Sequence, residues 1–155
     1  MNIGADTGER HMRIADILRN KGTAVTTVPP QTTVRALLTV LAECNIGAVV
    51  VSPDGAAISG IVSERDVVRH LDRHGAPLLD RPVTEIMTDR VRTCGPDDHT
   101  SSLRADMTEH RIRHMPVVED DRLVGIVSIG DVVKSEITEL ATERSHLVDY
   151  LQGKY

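Results

Sequence analysis

A chain of 155 residues accommodates one domain or two small repeated units, and 40% apolar with 26% charged residues is the balance of a soluble globular protein. There is no Phe and no Trp, and Tyr150 and Tyr155 are the only tyrosines, so the core is expected to be aliphatic and a planar ligand to lie between aliphatic walls. A net charge of −5 without aromatic stacking platforms argues against nucleic-acid binding, and no apolar run approaches a membrane span.

In chain order, Met1 to His11 has no apolar stretch and reads as a polar, partly disordered leader rather than a signal peptide, with Met12 an alternative start. Residues 12–74 form a first unit. It opens with a short helix, Ile14 to Leu18, and an extended piece, Ala24 to Val28, broken at Pro29-Pro30. Val34, Leu37, Leu38 and Leu41 then fall at i, i+3, i+4 and i+7 and predict an amphipathic helix. Two strands, Val49 to Val51 and Ile58 to Val62, turn at Ser52-Pro53-Asp54-Gly55. A last helix begins near Asp66, and residues 75–81, with Gly75 and Pro77, are the expected linker.

Residues 82–138 read the same way. A short helix (Val83 to Met87), an extended piece (Val91 to Thr93) and a break at Gly95-Pro96-Asp97-Asp98 precede a helix. Strands Met115 to Val118 and Leu123 to Val127 turn at Glu119-Asp120-Asp121, and a last helix begins near Asp131. Its continuation, residues 139–155, is a helical extension. Val133, Ile137, Leu140, Leu147 and Leu151 keep 4-3 spacing, with Arg144 at one seam position. Such a seam fits a helix lying on its own domain, or a helix–helix dimer contact that outruns one small repeat.

The two units are copies. Gly60-Ile-Val-Ser-Glu-Arg-Asp-Val-Val68 and Gly125-Ile-Val-Ser-Ile-Gly-Asp-Val-Val133 agree at seven of nine positions. Upstream, Val34, Leu37, Leu41 and Ile46 line up with Thr100, Leu103, Met107 and Ile112, and Ile14-Ala-Asp-Ile-Leu18 with Val83-Thr-Glu-Ile-Met87.

Each copy places Gly-Ile-Val-Ser before a helix that opens at x-x-Asp. Ser63 with Asp66, and Ser128 with Asp131, have the spacing of a capping box, which any helix start can use. The same junction also points free N–H groups and a positive dipole end outward, which suits an anionic ligand, and its carboxylate can accept ribose hydroxyls. Among the histidines, His70/His74 and His110/His114 are i, i+4 pairs, but nothing supplies the further ligands a metal needs, and no metal is expected. Cys44 and Cys94 form no CxxC pair and read as reduced thiols in a cytoplasm. Without a Gly-x-Ser-x-Gly elbow, a P-loop or a Gly-x-Gly-x-x-Gly, no enzyme is indicated.

Two stretches, Ile46-Gly47-Ala48-Val49-Val50-Val51 and Ile112-Arg113-His114-Met115-Pro116-Val117-Val118, each followed by Gly-Ile-Val-Ser-x-x-Asp, resemble a tandem pair of CBS (cystathionine beta-synthase) domains over about Met12 to Glu139. The resemblance implies an α+β fold of two βαββα repeats related by a pseudo-twofold axis, here with an extended C-terminal helix. It implies clefts that bind AMP, ADP, ATP, S-adenosylmethionine or NAD(H), a homodimer, and a sensor role that signals ligand occupancy to an effector protein. Its ribose-binding carboxylate falls on Asp66 and Asp131, with neighbouring hydroxyls Ser63 and Ser128. Copy two carries Arg113-His114 where copy one has Gly47-Ala48, so the occupied site is expected from Thr93, Arg113, His114, Ser128 and Asp131, with adenine between Ile112 and Met115. Arg65 is expected to reach the same phosphates, and a site around Ser63 and Asp66 is the weaker expectation. The alternative function is a ligand-free dimeric scaffold acting through the C-terminal helix.

Overall fold

In the computed structural model, residues 11–153 are described, so most of the leader and Tyr155 lie outside them. The elements form where local chemistry directs. α1 (Ile14–Lys21) is followed by β1 (Thr27–Val28) and α2 (Val34–Cys44). Thr33 caps α2, its hydroxyl accepting from Ala36 N at 3.1 Å, while Val34, Leu37 and Leu41 face inward and Leu38 stays in solvent. β2 (Ala48–Val51) and β3 (Gly60–Ser63) pair antiparallel, and β1 joins the other edge of β2 in parallel. α3 (Glu64–His74) closes the first unit. The linker is not a slack connection: Ala76–Asp80 is a 3₁₀ turn whose Leu78 is buried in the first core.

The second unit repeats this with α4 (Thr100–His110), β4 (His114–Glu119), β5 (Arg122–Ser128) and α5 (Ile129–Leu151). Two expectations change. The helix expected at Val83 to Met87 is a 3₁₀ turn, Val83–Glu85. It stops because Thr88 pairs with β3, exchanging bonds of 2.9 and 3.0 Å with Ile61. The extended piece expected at Val91 to Thr93 forms no strand; a bridge between Cys94 and Val117 takes its place. Cys94 N donates to Pro116 O and Val118 N to Cys94 O, but the next ladder bond would need an N–H on Pro116, which proline lacks.

There are two aliphatic cores. Val28, Val34, Leu37, Leu41, Val49, Val51, Val62 and Val67 build the first, and Leu103, Met107, Met115, Val117, Val127 and Val132 the second. The lead segments are exchanged between them. Ile14, Ile17 and Leu18 of α1 pack in the second core, whereas Val83 and Ile86 pack in the first. Burial of each such side chain contributes roughly 1.5–3 kcal/mol. The repeated glycines receive the exchanged segments: a Cβ on Gly125 would lie 2.7 Å from Leu18 Cδ2, and one on Gly60 2.5 Å from Met87 Sδ. Backbone bonds are reciprocal too, Thr100 N donating to Met12 O and Val34 N to Arg81 O. Among the described residues no helix is long and apolar enough to cross a membrane.

Candidate functional site

Exchange of the lead segments brings the start of α3, the Thr88 to Arg92 stretch and the end of α4 around one cleft of about 870 Å³ between the repeats. Ser63 caps α3 in a complete capping box. Ser63 N donates to Asp66 Oδ2 at 2.9 Å, and the Ser63 hydroxyl accepts from Asp66 N. The second junction is built alike, with Ser128 N donating to Asp131 Oδ2 at 2.9 Å and Asp131 N to Ser128 Oγ at 3.1 Å. Both carboxylates therefore cap helices. Capping uses one oxygen of Asp66, and among the described residues the other accepts no hydrogen bond while Asp66 lines the cleft.

Six arginines line the same cleft: Arg65, Arg69, Arg90, Arg92, Arg111 and Arg113. Set against Glu64 and Asp66, they leave it four net positive charges in a chain of net −5. Arg92 pairs with Asp106 at 3.1 Å, whereas among the described residues Arg69, Arg90, Arg111 and Arg113 make no ion pair. Arg65 crosses to the second repeat, Nη1 donating to Arg111 O at 3.5 Å. Ile61, Val68, Val91 and Ile112 supply aliphatic wall. A cleft lined by guanidinium groups, most of them without an ion pair among the described residues, suits a phosphate-bearing anion, which they can hold bidentately.

The sequence-predicted residues divide. Ser63, Arg65, Asp66, Ile112, Arg113 and His114 line this cleft. Met115 is fully buried in the second core, because neighbours on a strand face opposite ways and His114 takes the cleft side. Thr93 is exposed outside the cleft, next to inward-facing Cys94. Ser128 and Asp131 do not line it either, and Asp131 accepts a hydrogen bond from Lys21 Nζ at 2.5 Å. His114 lines the cleft as a weakened base. Burial pushes its imidazole below the ordinary histidine value, and Lys21 and Arg113 add to this while Glu64 and Asp131 oppose it. The His114 ring fills the space left by Gly47, where a Cβ would sit 3.4 Å from His114 Cε1.

Sequence reasoning missed Arg69, Arg90, Arg92 and Arg111. The signal available was the pair of Arg-x-Arg triplets, Arg90-Val91-Arg92 and Arg111-Ile112-Arg113. Of the histidine pairs, His70 and His74 stack at 6.2 Å between centroids, and His110 and His114 lie on different elements. Among the described residues one group, Asp106, Glu109 and His110, could bring three ligand atoms together, but Asp106 is already engaged by Arg92 and His110.

A family model for the CBS domain matches the chain twice, at residues 14–73 and 83–137. A mitochondrial CBS domain-containing protein of Arabidopsis thaliana is 34% identical over 97% of this chain and 77% of its own length. The crystal structure of a CBS-domain containing protein from Agrobacterium tumefaciens superposes with a TM-score of 0.78 at 40% identity, covering 81% of this chain and 99% of that one. A CBS domain pair crystallised with 5′-methylthioadenosine and S-adenosyl-L-methionine shares the fold at a TM-score of 0.71 and 24% identity, over 80% of this chain and 94% of that one.

Proposed function

The chain belongs to the CBS-domain family, and on that premise we propose that it is a regulatory module whose inter-repeat cleft binds an adenine nucleotide and signals its occupancy to an effector protein. The observation that carries this reading is that six arginines line one cleft together with Asp66, one of whose carboxylate oxygens accepts no hydrogen bond among the described residues. In this pose the ribose hydroxyls donate to Asp66, the base lies against Ile112 and its aliphatic neighbours, and the phosphates meet Arg113 with arginines of either repeat. AMP, ADP and ATP suit the cleft best. NAD(H) brings two phosphate charges, and the sulfonium of S-adenosylmethionine is repelled by the arginines. The role is regulatory rather than catalytic: a ligand that touches both repeats favours one arrangement of the halves, and partner surfaces respond to that arrangement. The setting is a reducing cytoplasm, with Cys44 and Cys94 as free thiols.

The test is a thermal-shift panel of AMP, ADP, ATP, NAD, NADH, S-adenosylmethionine and adenosine. A ligand at 100 times its dissociation constant adds about 2.7 kcal/mol, or roughly 5–10 °C for a chain of this size. The reading expects phosphorylated nucleotides to shift the midpoint more than adenosine or S-adenosylmethionine. No shift with any of them overturns it.

A second observation supports the scaffold alternative. On α5, Ile137, Leu140, Leu147 and Leu151 are 61%, 64%, 63% and 82% exposed along the 4-3 seam. We propose that this seam pairs with α5 of a second copy. Under the sensor reading, truncation after Leu140 abolishes the dimer and leaves nucleotide binding intact; a truncated chain that loses no function but its dimer contact, and never bound nucleotide, is a scaffold.

A further inference from the structure

The two capping carboxylates occupy equivalent places in the repeats, yet their surroundings differ. Asp131 Oδ2 accepts from Ser128 N and also from Lys21 Nζ at 2.5 Å, a bond between residues 110 positions apart. Lys21 is the last residue of α1, whose seat on β5 is set by Leu18 over Gly125. Met87 takes the corresponding place over Gly60, so the residue equivalent to Lys21, three positions on, is Arg90. Arg90 makes no ion pair among the described residues and lines the open cleft with Asp66.

The asymmetry has a structural cause. α1 runs for eight residues and delivers Lys21 from its final turn. Its counterpart stops after the 3₁₀ turn Val83–Glu85, because Thr88 is held by Ile61, and Arg90 is left on the following loop. Asp131 lines neither the main cleft nor its extension along Met107, Thr108 and Ile129.

We propose that Lys21 is the built-in occupant of the Asp131 half-site, so that each chain takes one nucleotide, in the Asp66 cleft. The inference rests on the nucleotide reading above. An ammonium on a carboxylate makes a charge-assisted hydrogen bond, and a neutral ribose hydroxyl would have to displace it from within the same chain. Burial pushes the Asp131 carboxyl upward, but the Lys21 and Ser128 bonds outweigh that and hold it below the ordinary value.

Isothermal titration of the full chain with ATP, and separately with AMP, tests this. The expected result is one equivalent per chain. Asp66→Asn weakens binding about tenfold or more, Asp131→Asn changes it less than twofold, and Lys21→Met reveals a second equivalent. Two equivalents on the wild-type chain, a tenfold loss with Asp131→Asn, or a single equivalent on Lys21→Met each overturns the closure and leaves the nucleotide reading standing. Uptake of neither ATP nor AMP overturns both. Wild-type stoichiometry and the Asp131→Asn response decide the matter if Lys21→Met does not fold.

Discussion

Gly60→Ala and Gly125→Ala probe the exchanged segments at equivalent positions, and the structure predicts unequal costs. A Cβ on Gly60 would lie 2.5 Å from Met87 Sδ and 2.9 Å from the Thr88 carbonyl oxygen. The Met87 side chain can turn away, but the Thr88 backbone is fixed by its bonds of 3.0 and 2.9 Å with Ile61. Overpacking costs about 1–3 kcal/mol, and straining two backbone hydrogen bonds adds up to roughly 1 kcal/mol for each. Stiffening of the unfolded chain by alanine returns about 0.4–1 kcal/mol. With mid-range values the net is a loss of about 2–3 kcal/mol, or roughly 5–10 °C in Tm. On Gly125 the nearest atoms to the Cβ would all belong to the Leu18 side chain, its methyls at 2.7 and 3.0 Å and Cγ at 3.5 Å, and a leucine tip can rotate. The expected loss there is about 1 kcal/mol. Urea unfolding measures both, with an unchanged m-value showing that the change is in stability. A Gly60→Ala protein as stable as wild type, or more stable than Gly125→Ala, refutes the argument that backbone contact at Thr88 sets the cost.

Three further outcomes are expected. Because His114 has its pKa lowered in the fold, the unfolded chain takes up this proton first, so its contribution is constant above about pH 6.5 and stability is lost as pH falls below it. The slope is at most about 1.4 kcal/mol per pH unit, and a His114→Gln chain is expected to lose less stability than wild type between pH 6.5 and 5 by thermal scans; an unchanged slope refutes the assignment. Arg113→Ala should weaken ATP binding roughly 10- to 100-fold and adenosine binding less than twofold, and equal losses by titration calorimetry would remove Arg113 from the phosphate set. Cys44 is exposed, whereas burial, with Asp98 and Asp106 nearby, pushes the Cys94 thiol up to about 12; a thiol reagent at neutral pH is therefore expected to label Cys44 alone until denaturant is added, as mass spectrometry of the labelled peptides would show.

Much of this protein could be read from local sequence. Val34, Leu37 and Leu41 mark a buried helix face by spacing, and the Ser63/Asp66 and Ser128/Asp131 boxes mark helix starts, because these features depend on residues within one or two turns. Repetition of Gly-Ile-Val-Ser in register declared two like units. What periodicity could not say is which core a face enters. Ile14 and Ile17 read as an apolar face that suits either repeat, and two copies of one fold offer two similar seats. Chain geometry decides, and it sends α1 to the second core and Val83 and Ile86 to the first. The cleft follows from that exchange. The Arg90/Arg92 and Arg111/Arg113 triplets are visible in the sequence, but that they share one cleft with Arg65 and Arg69 follows only from the crossing segments that bring them together. Lys21 and Asp131 likewise meet only because α1 lies on β5. Sequence determined most of the elements, since those are fixed by neighbours, and six residues of the cleft; tertiary structure decided where the segment after Val83 stops being helical and which further residues share the cleft, since those depend on distance in space.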